Sequence, residues 1–561
     1  MIYFVAMVAG LAGILFGFDE GVIAGALHAL HAQFSISPLE EGLMTAAVPF
    51  GAIFGALLAG PLSERHGRRK MLLAAALLFT LGAVFAGLIT AVWMLTLARL
   101  MLGVAVGVAA MVAPLYISES APTEKRGMLV SIYQLAITLG ILGAYLVNFA
   151  LDDQWRTMFM LGAIPGIALL AGMAVLSDTP RWLAAQGRSS EARQAMARLR
   201  GQPADSPQIH QELNAITQAA QQPDGPGRWR TLLSPVIRPA FVVGIGLFLL
   251  QQLSGINAVI YYAPTVFKEA GFDSGSTQIM ATIGVGVVNV LMTLVGMVLI
   301  DRIGRRKLLY IGFAGTAVSL GMIAIGATTG AQSLDILAII GLTLYIAAFA
   351  ASLGPLPWVM MAEIFPLHVR GLAMSVTSLA NWGFNFLVVF SFPVLVSWIG
   401  LGGVFGIYAL VCVAGLVFTW ARVPETSGVS LEAIERHLRS GLPFQQLGAA
   451  SSGTVTATDA PDITREQATR LMASVIRLGP YAAELLPLTP DIGRIAHGNH
   501  QIRTALRLVA QRAGAGQEDL VRREHLATEK TTLVAFIEHI RFASPRFLES
   551  VGEWPPGGSR G

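Results

Sequence analysis

The chain has 561 residues, 54% of them hydrophobic and 13% charged, with a formal charge of +4 and one cysteine, Cys412. Soluble domains carry about a quarter charged residues, so this composition excludes a soluble globular protein. A lone cysteine excludes an intrachain disulfide and a cysteine metal cluster, and the positive charge, concentrated in short loops, calls for no nucleic acid.

Apolar stretches long enough to cross ~30 Å of hydrocarbon as a helix recur along the chain. Twelve spans are expected, at 1–31, 41–62, 71–91, 93–117, 128–150, 157–177, 239–268, 277–300, 308–329, 334–362, 372–398 and 401–422. A cleaved signal peptide is the alternative for the first, but residues 1–18 have no basic n-region and no convincing small-residue cleavage site. Arg65, Arg68, Arg69 and Lys70 follow the second span, Lys125 and Arg126 the fourth, and Arg302, Arg305, Arg306 and Lys307 the eighth. Short basic loops stay cytoplasmic, which predicts that both termini are cytoplasmic in a cell inner (plasma) membrane.

The first span holds two adjacent carboxylates, Asp19 and Glu20, in "GILFGFDEGVIAGAL". At the bilayer midplane a carboxylate costs about 2.5–3.5 kcal/mol, so it faces a cavity, pairs, or binds a proton. Arg99 of the fourth span is the candidate partner of Asp19. Glu20 is turned about 100° from Asp19 and is expected near the extracellular mouth of a cavity.

The chain then repeats itself. "SERHGRRK" from Ser63 returns as "DRIGRRK" from Asp301, and "ESAPTEKRG" from Glu119 as "EIFPLHVRG" from Glu363. "SDTPRWL" from Ser177 has a shorter counterpart in "PETSGVSL" from Pro424. Six spans repeated in the same orientation imply two bundles about an axis along the membrane normal, with a central site and alternating access between them. Gly51 and Gly55, and Gly103 and Gly107, are spaced to let helix backbones approach. Between the halves, 180–239 reads as a polar linker of short helices, with "SSEARQAMARLR" an exposed one.

The second half opens on "LLQQLSGINAVIYYAP", which places Gln251, Gln252 and Asn257 about a turn before Tyr261 and Tyr262, with Gly255 allowing a bend. Neutral amides suit ligand hydroxyls, and aromatic planes suit apolar ligand faces. The alternative is that such amides only join helices, at about 0.6–2 kcal/mol each. Gly354, Pro355 and Pro357 are expected to break the tenth span beside Trp358.

Together the two "GRRK" loops, "ESAPTEKRG", "TPRWL", "QQLSGINAVIYYAP" and "PET" resemble the sugar porter family of the major facilitator superfamily over residues 1–448. Within it, "YQLAITLGILGAYL" and "VSLEAIERHLRSG" are most similar to bacterial galactose/proton symporters, with arabinose/proton symporters next. The resemblance implies an all-α membrane protein with the major facilitator fold, two pseudo-symmetric six-helix bundles at 1–177 and 239–423, a cytoplasmic helical linker at 178–238 and a post-helical segment at 424–448. It implies a monomeric, cofactor-free proton/sugar symporter with Asp19 and Arg99 as the proton-coupling pair. Burial favours the protonated acid and a nearby guanidinium the ionised one, so movement relative to Arg99 can load or release a proton. Gln134, Gln251, Gln252, Asn257, Asn289 and Asn381 are implied to bind sugar hydroxyls and Trp358 to cover the ring, with Tyr261, Tyr262 and Trp382 as gate or wall. Cytoplasmic gate charges are implied at Arg65, Arg69, Glu119, Arg126, Arg302, Arg306, Glu363 and Arg370, with Arg65, Arg69, Arg302 and Arg306 pairing with Glu119, Glu363 and the acids near Asp178 and Glu425 when the inside is closed. A passive uniporter would bind the same sugars without coupling, and a membrane enzyme is disfavoured for want of a catalytic set.

Beyond Gly448 a small, polar linker leads into a C-terminal extension, 449–561, with helical periodicity from "TREQATRLMASVIRLGPYAAELL" onward. A cytoplasmic protein partner, or a sensor role with this extension as output, would use it. His497 and His500 lack partnering ligands and do not indicate a metal.

Overall fold

The computed structural model describes residues 1–122, 126–152, 154–221, 229–330, 334–429, 434, 437–438 and 443–447. The helices expected in the C-terminal extension, with His497 and His500, lie outside the described residues.

The first bundle contains α1 (Ile2–Phe34), α2 (Pro38–His66), α3 (Arg68–Leu88), α4 (Val92–Ser120), α5 (Arg126–Leu151) and the broken pair α6 (Trp155–Leu161) and α7 (Ala163–Val175). Local chemistry sets the starts. Ser37 accepts from the Glu40 amide while Glu40 accepts from the Ser37 amide, and Pro38 occupies the first turn of α2, where its missing N–H costs nothing. Gly51 and Gly55 of α2 lie against the Leu100 and Val104 carbonyls of α4, and Gly103 and Gly107 of α4 lie against Val48 and Ala52 of α2. The stripe is reciprocal, as small-residue spacing predicts. A second stripe, Gly13, Gly17, Gly21 and Gly25 of α1, lies against Tyr133, Ile137, Ile141 and Asn148 of α5.

The linker holds α8 (Pro180–Ala185), α9 (Ser189–Arg200), α10 (Pro207–Gln221) and α11 (Trp229–Leu232). The helix expected to be exposed, α9, is amphipathic: Ala192 and Ala195 join Trp182, Leu183 and Leu213 in a separate apolar cluster. Arg200 ties it to the first bundle by donating to the Ser120 carbonyl at 3.1 Å.

The second bundle contains α12 (Arg238–Leu253), α13 (Ile256–Glu269), α14 (Gly275–Ile303), α15 (Arg305–Thr329), α16 (Leu334–Ala348), α17 (Leu356–Ile364) and α18 (Leu367–Arg422). The seventh span breaks where expected, at Gly255, whose φ of +91° is the left-handed region that favours glycine. The tenth leaves α-helical geometry through a π-turn, Phe349–Leu353, before Pro355 starts α17. Among the described residues, eleven helical stretches are long and apolar enough to span a membrane, and the last, Leu372–Arg422, turns at Gly400 (φ 71°), which divides it into the eleventh and twelfth expected spans.

The repeated motifs adopt matching backbones. Gly67 has φ 95°, ψ 157° and Gly304 has φ 93°, ψ 157°, each between two helices. These turns, with the starts of α3 and α15, define one face of the molecule, here the basic face.

Candidate substrate and proton site

At the centre of the first bundle, Asp19 (2% exposed) and Arg99 (0% exposed) meet with Oδ1 3.6 Å from Nη1. Arg99 is also held by α2, where its Nε donates to the Met44 carbonyl at 3.0 Å and its Nη2 to the Thr45 carbonyl at 3.4 Å. The second carboxylate oxygen of Asp19 has no hydrogen-bond partner. A buried pair held on one side only is incompletely satisfied, which leaves the acid able to exchange its charge for a proton. Glu20, expected near the mouth of a cavity, is 3% exposed.

The amides of the second bundle converge. Asn257 donates to Gln252 at 2.5 Å and Gln252 donates to Asn381 at 2.7 Å, joining α13, α12 and α18 in one buried chain. Gln251 donates to the Leu353 and Gly354 carbonyls at 2.7 and 3.0 Å, so the broken tenth span supplies the acceptors that its lost helical bonds release. The Gln251 side-chain oxygen remains without a partner. Primary amides offer two donors and two acceptor sites each, so this chain keeps capacity for a hydroxylated ligand.

The remaining predicted residues are distributed around these groups. Gln134 is half-buried on α5 and Asn289 buried on α14. Trp358, half-buried, meets Phe248 edge-on at 4.8 Å between ring centres. Tyr262 stacks on Phe392 at 4.9 Å and donates to the Val389 carbonyl of α18. The Tyr261 hydroxyl is buried without a partner. Trp382 reaches across to Phe16 of the first bundle, with ring centres 5.3 Å apart.

On the basic face of this conformer the neighbouring arginines make the ion pairs. The guanidiniums that reach Glu119 and Glu363 belong to Arg68 (2.9 Å) and Arg305 (3.0 Å). Thr179 and Thr426 each donate to the other oxygen of these carboxylates at 2.5 Å. Arg69 and Arg306 instead donate to carbonyls at helix ends, Met173 and Ala174 for the first and Trp420 for the second. Arg65 and Arg302 are exposed and enter no ion pair among the described residues. Arg370 donates to the Phe365 carbonyl at 3.0 Å, and the Arg126 side chain lies outside the described residues. Asp178 and Glu425 accept from backbone amides rather than guanidiniums, at Arg68 and Arg69 and at Arg305 and Arg306. They cap α3 and α15. Burial outweighs these amide bonds at Asp178 and raises its carboxyl above the usual range.

Residues that sequence reasoning did not single out close the opposite side. The Tyr145 hydroxyl donates to the Ile260 carbonyl across the bundles at 2.9 Å, and Phe50 meets Phe386 at 5.2 Å. These contacts and Phe16–Trp382 join the two bundles, whereas the ion pairs of the basic face stay within single bundles.

Comparison with known proteins places this geometry in context. The family described as sugar (and other) transporter matches residues 5–438. A D-xylose transporter of Levilactobacillus brevis is 39% identical over 442 residues, covering 78% of this chain and 96% of the relative. The galactose-proton symporter of Escherichia coli K12 is 39% identical over 454 residues, covering 80% and 97%. Among solved structures, a partially occluded inward-open conformation of the xylose transporter XylE from E. coli matches with a TM-score of 0.67 and 31% identity, covering 76% of this chain and 99% of that one. A proton:xylose symporter XylE structure bound to 6-bromo-6-deoxy-D-glucose matches with a TM-score of 0.66 and 32% identity, over 78% and 98%.

Proposed function

The chain belongs to the sugar (and other) transporter family, whose members are membrane transporters, and from that premise we propose that it carries a monosaccharide across the membrane together with a proton, by alternating access. The observation that supports coupling above all is the buried Asp19–Arg99 pair at 3.6 Å with one carboxylate oxygen unpartnered. A passive carrier gains nothing from keeping an acid there, at a cost of about 2.5–3.5 kcal/mol. Asp19 takes the proton and Arg99 competes for its charge.

The sugar sits between the bundles. Gln251, Gln252, Asn257 and Asn381 hold its hydroxyls from the second bundle, Gln134 and Asn289 reach it from α5 and α14, and Trp358 covers a ring face. The relatives named for D-xylose and galactose make those two sugars the first to test. The arginine-rich turns put the basic face in the cytoplasm, in the inner membrane, with the substrate path lined by the bundles at 1–177 and 239–423. The cross-bundle contacts away from that face, at Tyr145, Phe50 and Phe16, support an outside-closed conformer.

Purified protein in liposomes, with a pH electrode outside and labelled D-xylose or D-galactose added, tests the reading. External alkalinisation on sugar addition, and accumulation that a protonophore stops, are expected. Saturable sugar uptake with neither effect would make it a uniporter and refute the coupling.

A further inference from the structure

The break in the seventh span falls inside the set of amides assigned to the sugar. Gln251 and Gln252 lie in the last turn of α12, and Asn257 in the first turn of α13. The contact in which Asn257 donates to the Gln252 side-chain oxygen at 2.5 Å is therefore set by the bend at Ser254 and Gly255. A glycine in the left-handed region permits a bend without fixing its angle, so other groups must fix it.

The backbone acceptors at the break identify them. The Leu250 and Gln252 carbonyls accept from the Ser254 and Gly255 amides, each at 3.0 Å, and the Gln251 carbonyl accepts from the Ser254 hydroxyl at 2.6 Å. The Ser254 carbonyl takes its donor from another helix: the Tyr345 hydroxyl of α16, at 3.1 Å. That hydroxyl also stands 3.3 Å from the Ser254 hydroxyl, and both residues are fully buried, so bulk solvent is not there to replace the bond. On the other flank the Tyr408 ring of α18 presses on Gly255, where a methyl group would stand 2.3 Å from a ring carbon. The Tyr345 ring is itself held, stacked on Phe349 at 6.1 Å between ring centres. Phe349 opens the π-turn of the tenth span, whose far end, at Leu353 and Gly354, accepts from Gln251. Both ends of that turn thus grip the seventh span, one at Ser254 and one at Gln251.

We propose that Tyr345 is a positioning residue, acting through the bend rather than by touching the sugar: its hydroxyl holds the Ser254 carbonyl, fixes the angle between α12 and α13, and so aims Gln252 and Asn257 at one ligand. This rests on the transport reading above. Without the hydroxyl a buried carbonyl is left unpaired, and the break shifts toward another donor. Asn257 then turns relative to Gln252, and hydrogen bonds weaken steeply as their geometry departs from linear.

Tyr345→Phe keeps the stack on Phe349 and deletes only the hydroxyl. Initial rates of labelled D-xylose or D-galactose uptake into liposomes should show its KM raised ~10-fold, about 1.4 kcal/mol, with kcat within ~2-fold. Adding Tyr345→Phe to Gln252→Ala should raise KM by less than ~2-fold beyond Gln252→Ala alone, because the amide being aimed is gone. Penalties that multiply would overturn the proposal and leave Tyr345 a packing residue. Tyr408→Phe removes a buried hydroxyl that has no partner in the protein and should leave KM within ~2-fold. A rise there equal to that of Tyr345→Phe would also overturn it. Equilibrium binding to detergent-purified protein gives the same comparisons if a variant does not transport. Hydrogen exchange needs no sugar: amides over 254–260 should exchange at least ~3-fold faster in Tyr345→Phe than in the unmodified protein, and equal rates would overturn the fixed bend. Absence of any saturable sugar uptake by the unmodified protein would instead refute the transport reading, with exchange still deciding whether Tyr345 sets the bend.

Discussion

Asp19→Asn keeps the size of the side chain and removes its charge, so it isolates the electrostatic role. At the 3.6 Å separation of Asp19 and Arg99, Coulomb attraction at an effective dielectric near 20 is roughly 4–5 kcal/mol. The variant loses most of this and leaves Arg99 on the carbonyls of Met44 and Thr45 alone. It also loses the only group of the pair that can take up a proton. One proton moving with each sugar through 100 mV brings about 2.3 kcal/mol. At about 1.4 kcal/mol per tenfold, that supports accumulation of roughly 40-fold. Liposomes energised to that potential should therefore concentrate sugar up to this limit with the unmodified protein and reach no more than equal concentrations with Asp19→Asn. Equilibrium exchange, which needs no net proton movement, should stay within about threefold. Accumulation by the variant equal to that of the unmodified protein would refute the assignment of coupling to Asp19.

Other substitutions probe the frame around this pair. Gly17→Ala would drive a methyl into the Ile137 carbonyl, and overpacking of that kind should cost about 1–3 kcal/mol, read as a lower melting temperature in detergent. Arg68→Ala and Arg305→Ala each remove a guanidinium held 2.9–3.0 Å from a carboxylate and should cost about 1.5–3 kcal/mol, whereas exposed, unpaired Arg65→Ala should stay within about 0.5. Equal effects at positions 65 and 68 would contradict the pairing. Gln252→Ala breaks both links of the buried amide chain and should raise the sugar KM by about 10- to 100-fold, or about 1.4–2.8 kcal/mol. A KM unchanged in that variant would detach the chain from sugar binding.

Much of the architecture was legible because a bilayer imposes few solutions. Hydrophobic length located the spans, the repeated basic turns located the two halves, and Gly255 and the Gly354–Pro357 segment located two breaks. The basic face was less legible for a geometric reason. Arg68 and Arg69, like Arg305 and Arg306, are adjacent at a helix start and diverge by about 100°, so composition gives no preference between them. Only the capping of α3 by Asp178 and of α15 by Glu425 sets which guanidinium reaches the neighbouring carboxylate. The direction Glu20 faces was not legible for a related reason. Its depth was evident, but the direction it faces depends on how tightly α1 meets α5, and the glycines that decide this are four apart in a stretch where every residue but Asp19 and Glu20 is small or apolar.

The glycine keying of α1 onto α5 carries a mechanical consequence. Asp19 and Arg99 both belong to the first bundle, on α1 and α4, and at Gly13, Gly17 and Gly21 the backbone of α1 stands against that of α5 with no space for a methyl. Tilting that bundle as a solid block transports the ion pair without stretching it. Rocking the second bundle against the first would then move Tyr261 relative to the pair while the pair keeps its own separation. Protonation would then be timed by when solvent is admitted to the acid, and an engineered tether fastening α1 to α5 should leave transport running.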